Sequence, residues 1–314
     1  MAIDGDKFAA YANRQTDVAI NRYEKRFYRH LNSLGDDIAA YLSGVRRIDN
    51  LSKPAIDSII AQVVSVQNNR YRDAVEDFIS DAALLAEYSA QSEVLALGMP
   101  KQASQVYKKV SKTPIAASGL FIDEHMDNLV AYNNERIAKA IRFGWSNKVD
   151  VNELSAVLIG TEKARYADGL IHKQKQSARA AIDTACHHCS QVARAEARAA
   201  NDVYKYRIVA TLDNRVTEIC RELDGKVYEY GSQSSRVPPF HYFCRTVIIP
   251  EIDKEYSWLS EGRTRSSMYG SVSSQTTYAE WAKQNADKIA EQNEIDRQKR
   301  NRRARARRKA NQTS

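Results

Sequence analysis

Glycine and proline are scarce in this chain, at 12 and 6 of 314 residues. So few breakers, set among many Ala, Arg, Gln and Glu, favour helices over a turn-rich all-β architecture. Long apolar runs are missing as well. None reaches the ~18–20 residues that a helical membrane span needs, and the opening MAIDGDKFAAYANRQ lacks the apolar core of a secretion signal. The chain is therefore expected to be soluble, made in a reducing cytoplasm and without a membrane partner. Cysteine is sparse too, with four, at 186, 189, 220 and 244. In a large chain from such a compartment these read as thiols or metal ligands before they read as disulfides. No G-x-S-x-G, H-E-x-x-H or G-x-x-x-x-G-K occurs, which removes the familiar hydrolase, metalloprotease and phosphate-loop signatures. The expectation is a protein that is not an enzyme.

What the chain does have is one-sided charge at its end. Arg297, Lys299, Arg300, Arg302, Arg303, Arg305, Arg307, Arg308 and Lys309 fall within thirteen residues that hold no acid. The formal net charge is +8, so the remainder sums to 8 − 9 = −1. The basicity thus belongs to a tail, and the body is near neutral. Nine cations of one sign must be solvated or meet a polyanion. No aromatic residue is interleaved, so base stacking is not expected. The pattern points to sequence-independent contact with a nucleic-acid backbone, steeply weakened by salt.

Hydrophobic residues make up 43% of the chain, enough for a packed core. Residues 1–98 read as helices. Ile20, Tyr23, Phe27 and Leu31 repeat at helical spacing, with breaks expected at Gly35 and Gly44. Ser52 followed by Pro54 signals a helix start, and Ile56, Ile59, Ile60 and Val63 open the next stripe. Gly98-Met99-Pro100 ends this region. A helical middle region, 99–180, includes a capping-box start at Asp150 and Glu153. A long helix is expected from about 161 to 204.

Beyond it the period changes. Tyr206 to Ala210, Lys226 to Tyr230 and Thr246 to Ile249 are strand candidates, with a helical turn from Glu218 to Leu223 between the first two. The fold class is accordingly α+β: a mainly helical N-terminal half, then a small β-containing domain over 181–256. Ser, Thr and Gly crowd 257–276, read as a linker. Thr277 and Glu280 form a capping box that opens the basic tail, 277–314, expected to be helical or disordered and to fray when free.

Two clusters invite a metal reading. Cys220 with His241-x-x-Cys244 supplies two thiols and an imidazole, ligand types that suit zinc, although a closed structural site takes four. Buried loop packing, with His241 hydrogen-bonded to backbone, is the other reading. Cys186-His187-His188-Cys189 places two thiols three apart on one helix face, where they chelate an ion or pack. Asp213 and Asp224 precede Asn214 and Gly225, which is turn chemistry. Arg245 is expected to pair with one of them and hold the loop.

The segment TLDNRVTEICRELDGKVYEYGSQSSRVPPFHYFCRTVIIP, residues 211–250, resembles the C-terminal signature of the phage Mu protein F-like family. The matching residues are Thr211-Leu212-Asp213, Arg215, Cys220, Leu223-Asp224-Gly225, Pro238-Pro239, His241 and Cys244-Arg245. The preceding ARAEARAAND and the following TYAEW look similar too, so the likeness covers about 190–285. The resemblance implies structural roles for Asp213, Asp224, Gly225, Pro239 and Arg245. It also marks two further cysteine positions, which here hold Thr217 and Thr246. It implies a minor head protein of a tailed phage, with the portal protein and the inner capsid or scaffold as partners. The expected location is the capsid interior of the virion, with host cytoplasm during assembly, and the tail would meet DNA there. The alternative is a free nucleic-acid-binding protein with a Cys/His zinc site.

Overall fold

The computed structural model describes residues 5–45, 48, 50–251 and 264–312, with side chains over residues 14–306 of those spans. The chain is α+β. It divides into two compact units, one of residues 11–203 and 237–244, the other of residues 1–10, 204–236 and 245–314.

The first unit is helical. Helix α1 (Gly5–Ser43) and α2 (Lys53–Leu97) are long, followed by α3 (Val106–Ser111), α4 (Ile122–Ser146), α5 (Val151–Ile159) and α6 (Leu170–Ala199). Gly35 does not break α1. The stripe Leu31, Leu34, Ile38 and Leu42 continues past it, fully buried. Each such side chain contributes about 1.5–3 kcal/mol of burial, against about 1 kcal/mol for one glycine in a helix. Gly44 and Gly98 do lie where helices end, and Gly98 adopts φ 61°, the left-handed C-cap geometry. The carboxylate of Asp150 accepts from the backbone N–H of Asn152 and Glu153 at 2.7 and 2.9 Å, capping α5. The helix expected from residue 161 begins only at Leu170, after a run of turns. Helices α2, α4 and α6 pack together, with α3 against α2 and α6. One core therefore joins what the sequence divides into separate N-terminal and middle regions, and it takes in α6 through residue 199 as well.

That core is crossed by polar groups. Asn133 donates to the Tyr71 hydroxyl at 2.9 Å, Gln174 to the Gln67 side chain at 2.7 Å, and Gln67 in turn to Asn134 at 2.6 Å. Further along, Arg198 on α6 meets Glu93 on α2 at 2.5 Å, both buried. Such groups cost stability unless matched, so they hold the helices to one register.

The second unit carries the strands. Strands β1 (Lys205–Val209), β2 (Val227–Glu229) and β3 (Val247–Pro250) form an antiparallel sheet in the order β2-β1-β3. Helix α7 (Glu218–Leu223) connects β1 to β2. Part of the segment read as a linker is instead a hairpin, β4 (Thr264–Ser267) and β5 (Gly270–Ser273). Its Ser-rich strands are nearly without apolar signal; they are held by the ladder and by Arg265, which is buried. Residues 257–263 of that call lie outside the described residues. Helix α8 (Tyr278–Gln284) starts on the expected box, with Thr277 capping and Glu280 reaching back. Helix α9 (Ala286–Gln312) carries the basic tail and stays helical through it.

Candidate functional site

The turns of the small unit are built around two carboxylates. Asp224 closes α7 and is buried. Its side chain accepts from the N–H of Ala210 at 2.7 Å and of Tyr278 at 2.6 Å. Both Nη atoms of Arg265 donate to it at 3.1 Å, and Arg265 also donates to the carbonyls of Ala210 and Thr276. One carboxylate thus ties β1, the β4–β5 hairpin and the start of α8. Gly225 follows at φ 78°, where a Cβ would sit 3.0 Å from Thr277 Cγ2. Glycine is required there both by the left-handed backbone and by the approach of α8.

Asp213 is the second hub. Arg245 donates to it in fork geometry at 2.6 and 3.1 Å, and the N–H of Arg215 adds a bond at 2.9 Å. Burial pushes the Asp213 carboxyl up, but the Arg245 and Arg215 contacts outweigh it and hold it below the usual carboxylate range. The loop-holding partner of Arg245 is therefore Asp213. Aromatic rings pack beside these hubs. Tyr278 and Trp281 lie 5.5 Å apart, Tyr269 stacks on Trp281 at 5.7 Å, and the Arg221 guanidinium sits over Tyr278 at 5.0 Å.

Both acids are consumed by these structural bonds, and neither is offered as a general base. Arg265 is the member that sequence reasoning missed. Its signal was slight, one of two arginines in a Ser/Thr-rich stretch, and its partner lies 41 residues away.

The cysteines are all buried and unoxidised. Cys220 lies on α7 of the small unit. His241 and Cys244 lie in the segment 237–244 that belongs with the helical unit. The His241 Nδ1–H donates to the Tyr242 carbonyl at 2.8 Å, which fixes its tautomer. Pro238 and Pro239, joined by a cis peptide bond, are buried just before it. Phe243 takes the left-handed conformation at φ 57°, unusual for a bulky residue. At the two further cysteine positions that the resemblance marks, the hydroxyls of Thr217 and Thr246 are buried without a hydrogen-bond partner. A hydroxyl is not a zinc donor of the thiolate or imidazole kind, so neither threonine adds a ligand.

Cys186, His187, His188 and Cys189 sit inside the helical core. Burial pushes Cys189 up to about 12 and both histidines down to about 4. Among the described residues, the four join no group of three ligands around one point. They are packing residues of α6.

The nine cations of the tail all lie on α9, and residues 297–306 are all exposed. Arg297 pairs with Glu294 at 2.8 Å, one turn back. The preceding half of α9 is of opposite sign, with Asp287, Glu291, Glu294 and Asp296 against Lys288. Asn214 donates to Asp296 at 3.2 Å, which fastens that acidic half beside the Asp213 turn.

Compared with known proteins, residues 133–249 match the family model described as phage Mu protein F like protein. The matched span runs from within α4 to the end of the β1–β3 sheet and includes both carboxylate hubs. No curated protein and no solved structure matches. No helix among the described residues is long and apolar enough to cross a membrane.

Proposed function

We propose that this chain, a phage Mu protein F-like protein of the head morphogenesis kind over residues 133–249, is a minor head protein. It associates with the portal or the inner capsid while the procapsid assembles, and it touches packaged DNA through residues 297–309. The role is structural, not enzymatic. The family match is the observation that carries this reading. It is supported by the engagement of Asp213 and Asp224 in arginine pairs, and by the concentration of the net positive charge on one exposed helix. A protein of the head interior meets concentrated phosphate, and a one-signed helix gains affinity there by releasing counterions.

The test is mass spectrometry of purified procapsids and mature heads of the phage that encodes the chain. Low-copy presence in the particles is the expected result. Absence from both sinks the reading and leaves a free nucleic-acid-binding protein, whose metal content would then be the next quantity to measure.

A further inference from the structure

The cations of α9 are spread around the whole helix instead of along one face. At roughly 100° per residue, Arg297, Arg305, Arg302, Lys299, Arg303 and Arg300 stand at about 0, 80, 140, 200, 240 and 300° around the axis. No gap between neighbours exceeds about 80° on that count. All six are exposed, and no residue of α9 from 286 to 306 is buried. A helix that lies in one groove with its back on a protein core shows a charged stripe and an apolar stripe. Here neither stripe exists. A duplex that such a helix lies across neutralises the cations on the near side and leaves those of the far side free for a second polyanion.

We propose that α9 bridges two DNA duplexes, with the cations of opposite sides neutralising phosphates of different segments, so that the chain acts as a DNA cross-linking element and not only as a DNA ligand. This rests on the reading of the tail as a DNA contact. The contact is with phosphates and is independent of sequence, since no side chain from 297 to 306 is aromatic or aimed by a fixed partner at a base. The acidic first half of α9 sets the boundary. Its charges repel phosphate, so bridging begins at Arg297 and the body of the protein is held off the DNA.

The experiment uses the full chain and two short duplexes, one immobilised on beads and one free and fluorescent. Retention of the free duplex reports bridging, and anisotropy with a single duplex reports binding. Two variants carry equal charge. K299Q/R300Q/R303Q/R307Q strips one side of the helix and leaves cations on the other. R297Q/R302Q/R303Q/K309Q removes the same number but leaves them all round. Both should bind a single duplex with a similar loss, each shedding up to about four phosphate contacts' worth of salt slope, at about 0.9 per contact. Retention should fall by at least about tenfold more in the one-sided variant than in the dispersed one. Equal retention by the two variants, or no retention by the parent protein despite single-duplex binding, overturns the bridging inference and leaves the DNA contact standing. Absence of single-duplex binding by the parent overturns the DNA reading itself.

Discussion

Asp224 and Arg265 form a buried, two-pronged ion pair that joins the Leu-Asp-Gly turn to a hairpin 41 residues further along the chain. The Asp224 side chain is fully buried and that of Arg265 is 7% exposed. Removing one member leaves an uncompensated buried charge, which typically costs about 3–5 kcal/mol. Arg265→Ala should therefore lower the thermal midpoint of the small unit sharply. Asp224→Asn should do the same, and the double variant should cost less than the two added together. Additive melts would show that the pair is not a unit.

Gly225→Ala tests the turn beside it. The new methyl meets Thr277 at the start of α8, and the residue must hold a positive φ. A loss of about 1 kcal/mol or more is expected from the backbone alone. Thr277→Ser, which removes the facing methyl, should recover part of what the contact costs and none of what the backbone costs. No recovery in chemical denaturation would mean that the contact plays no part.

The helical core should make stability depend on pH in two opposed ways. Burial first, and Arg194 in addition for His187, lowers His187 and His188 to about 4. The unfolded chain then takes up protons that the folded one refuses, so stability falls as pH drops from about 6.5 towards 4. Burial, then Asp17 and Glu24, raises Asp183 to about 7. The folded chain keeps a proton there that the unfolded one has lost, so this contribution falls as pH rises from about 4 to about 7. Asp183→Asn should raise the melting temperature at pH 8 relative to the parent, with little gain at pH 4. A uniform gain at both pH values would refute the account.

All four thiols are buried, and burial holds Cys186 and Cys189 far from ionising at neutral pH. The native protein should give no fast reaction with iodoacetamide, and four labels should appear in guanidinium. A zinc ion on Cys220, His241 and Cys244, the set suggested by their spacing, would appear as stoichiometric metal in elemental measurement. It would also leave two of the four labels protected until a chelator is added.

Truncation from residue 297 should leave the fold intact, because no side chain from 297 to 306 is buried and the Asn214–Asp296 bond is retained. Far-UV ellipticity should fall by the lost helix only, with the melting midpoint within a degree or two, as for surface changes of about ±0.5 kcal/mol. A substantial drop would mean that the tail supports the body.

Much of the architecture is written locally. Apolar spacing gives the long helices, the caps at Asp150 and Thr277 give their starts, and the change of period after Tyr204 gives the three strands to within a residue or two. The positive tail is legible from charge alone. Even the partner class of Arg245 could be read, since a cation beside two turn-forming acids has few other places to go.

What the sequence could not settle was decided by contacts made at a distance. Gly35 reads as a break, yet the burial of Leu34 and Ile38 carries the helix through it. The hairpin at 264–273 reads as a linker, because its cohesion comes from a ladder and from Arg265 reaching Asp224, not from local propensity. Glu93 and Arg198 lie in the core, where each is tolerated because the other faces it. Periodicity and capping are properties of neighbours in the chain, so the sequence by itself determines most of the helices, the three strands of the larger sheet and the one-signed tail. Pairing of buried charge depends on residues that only folding brings together, so the tertiary structure alone decides which carboxylate meets which arginine.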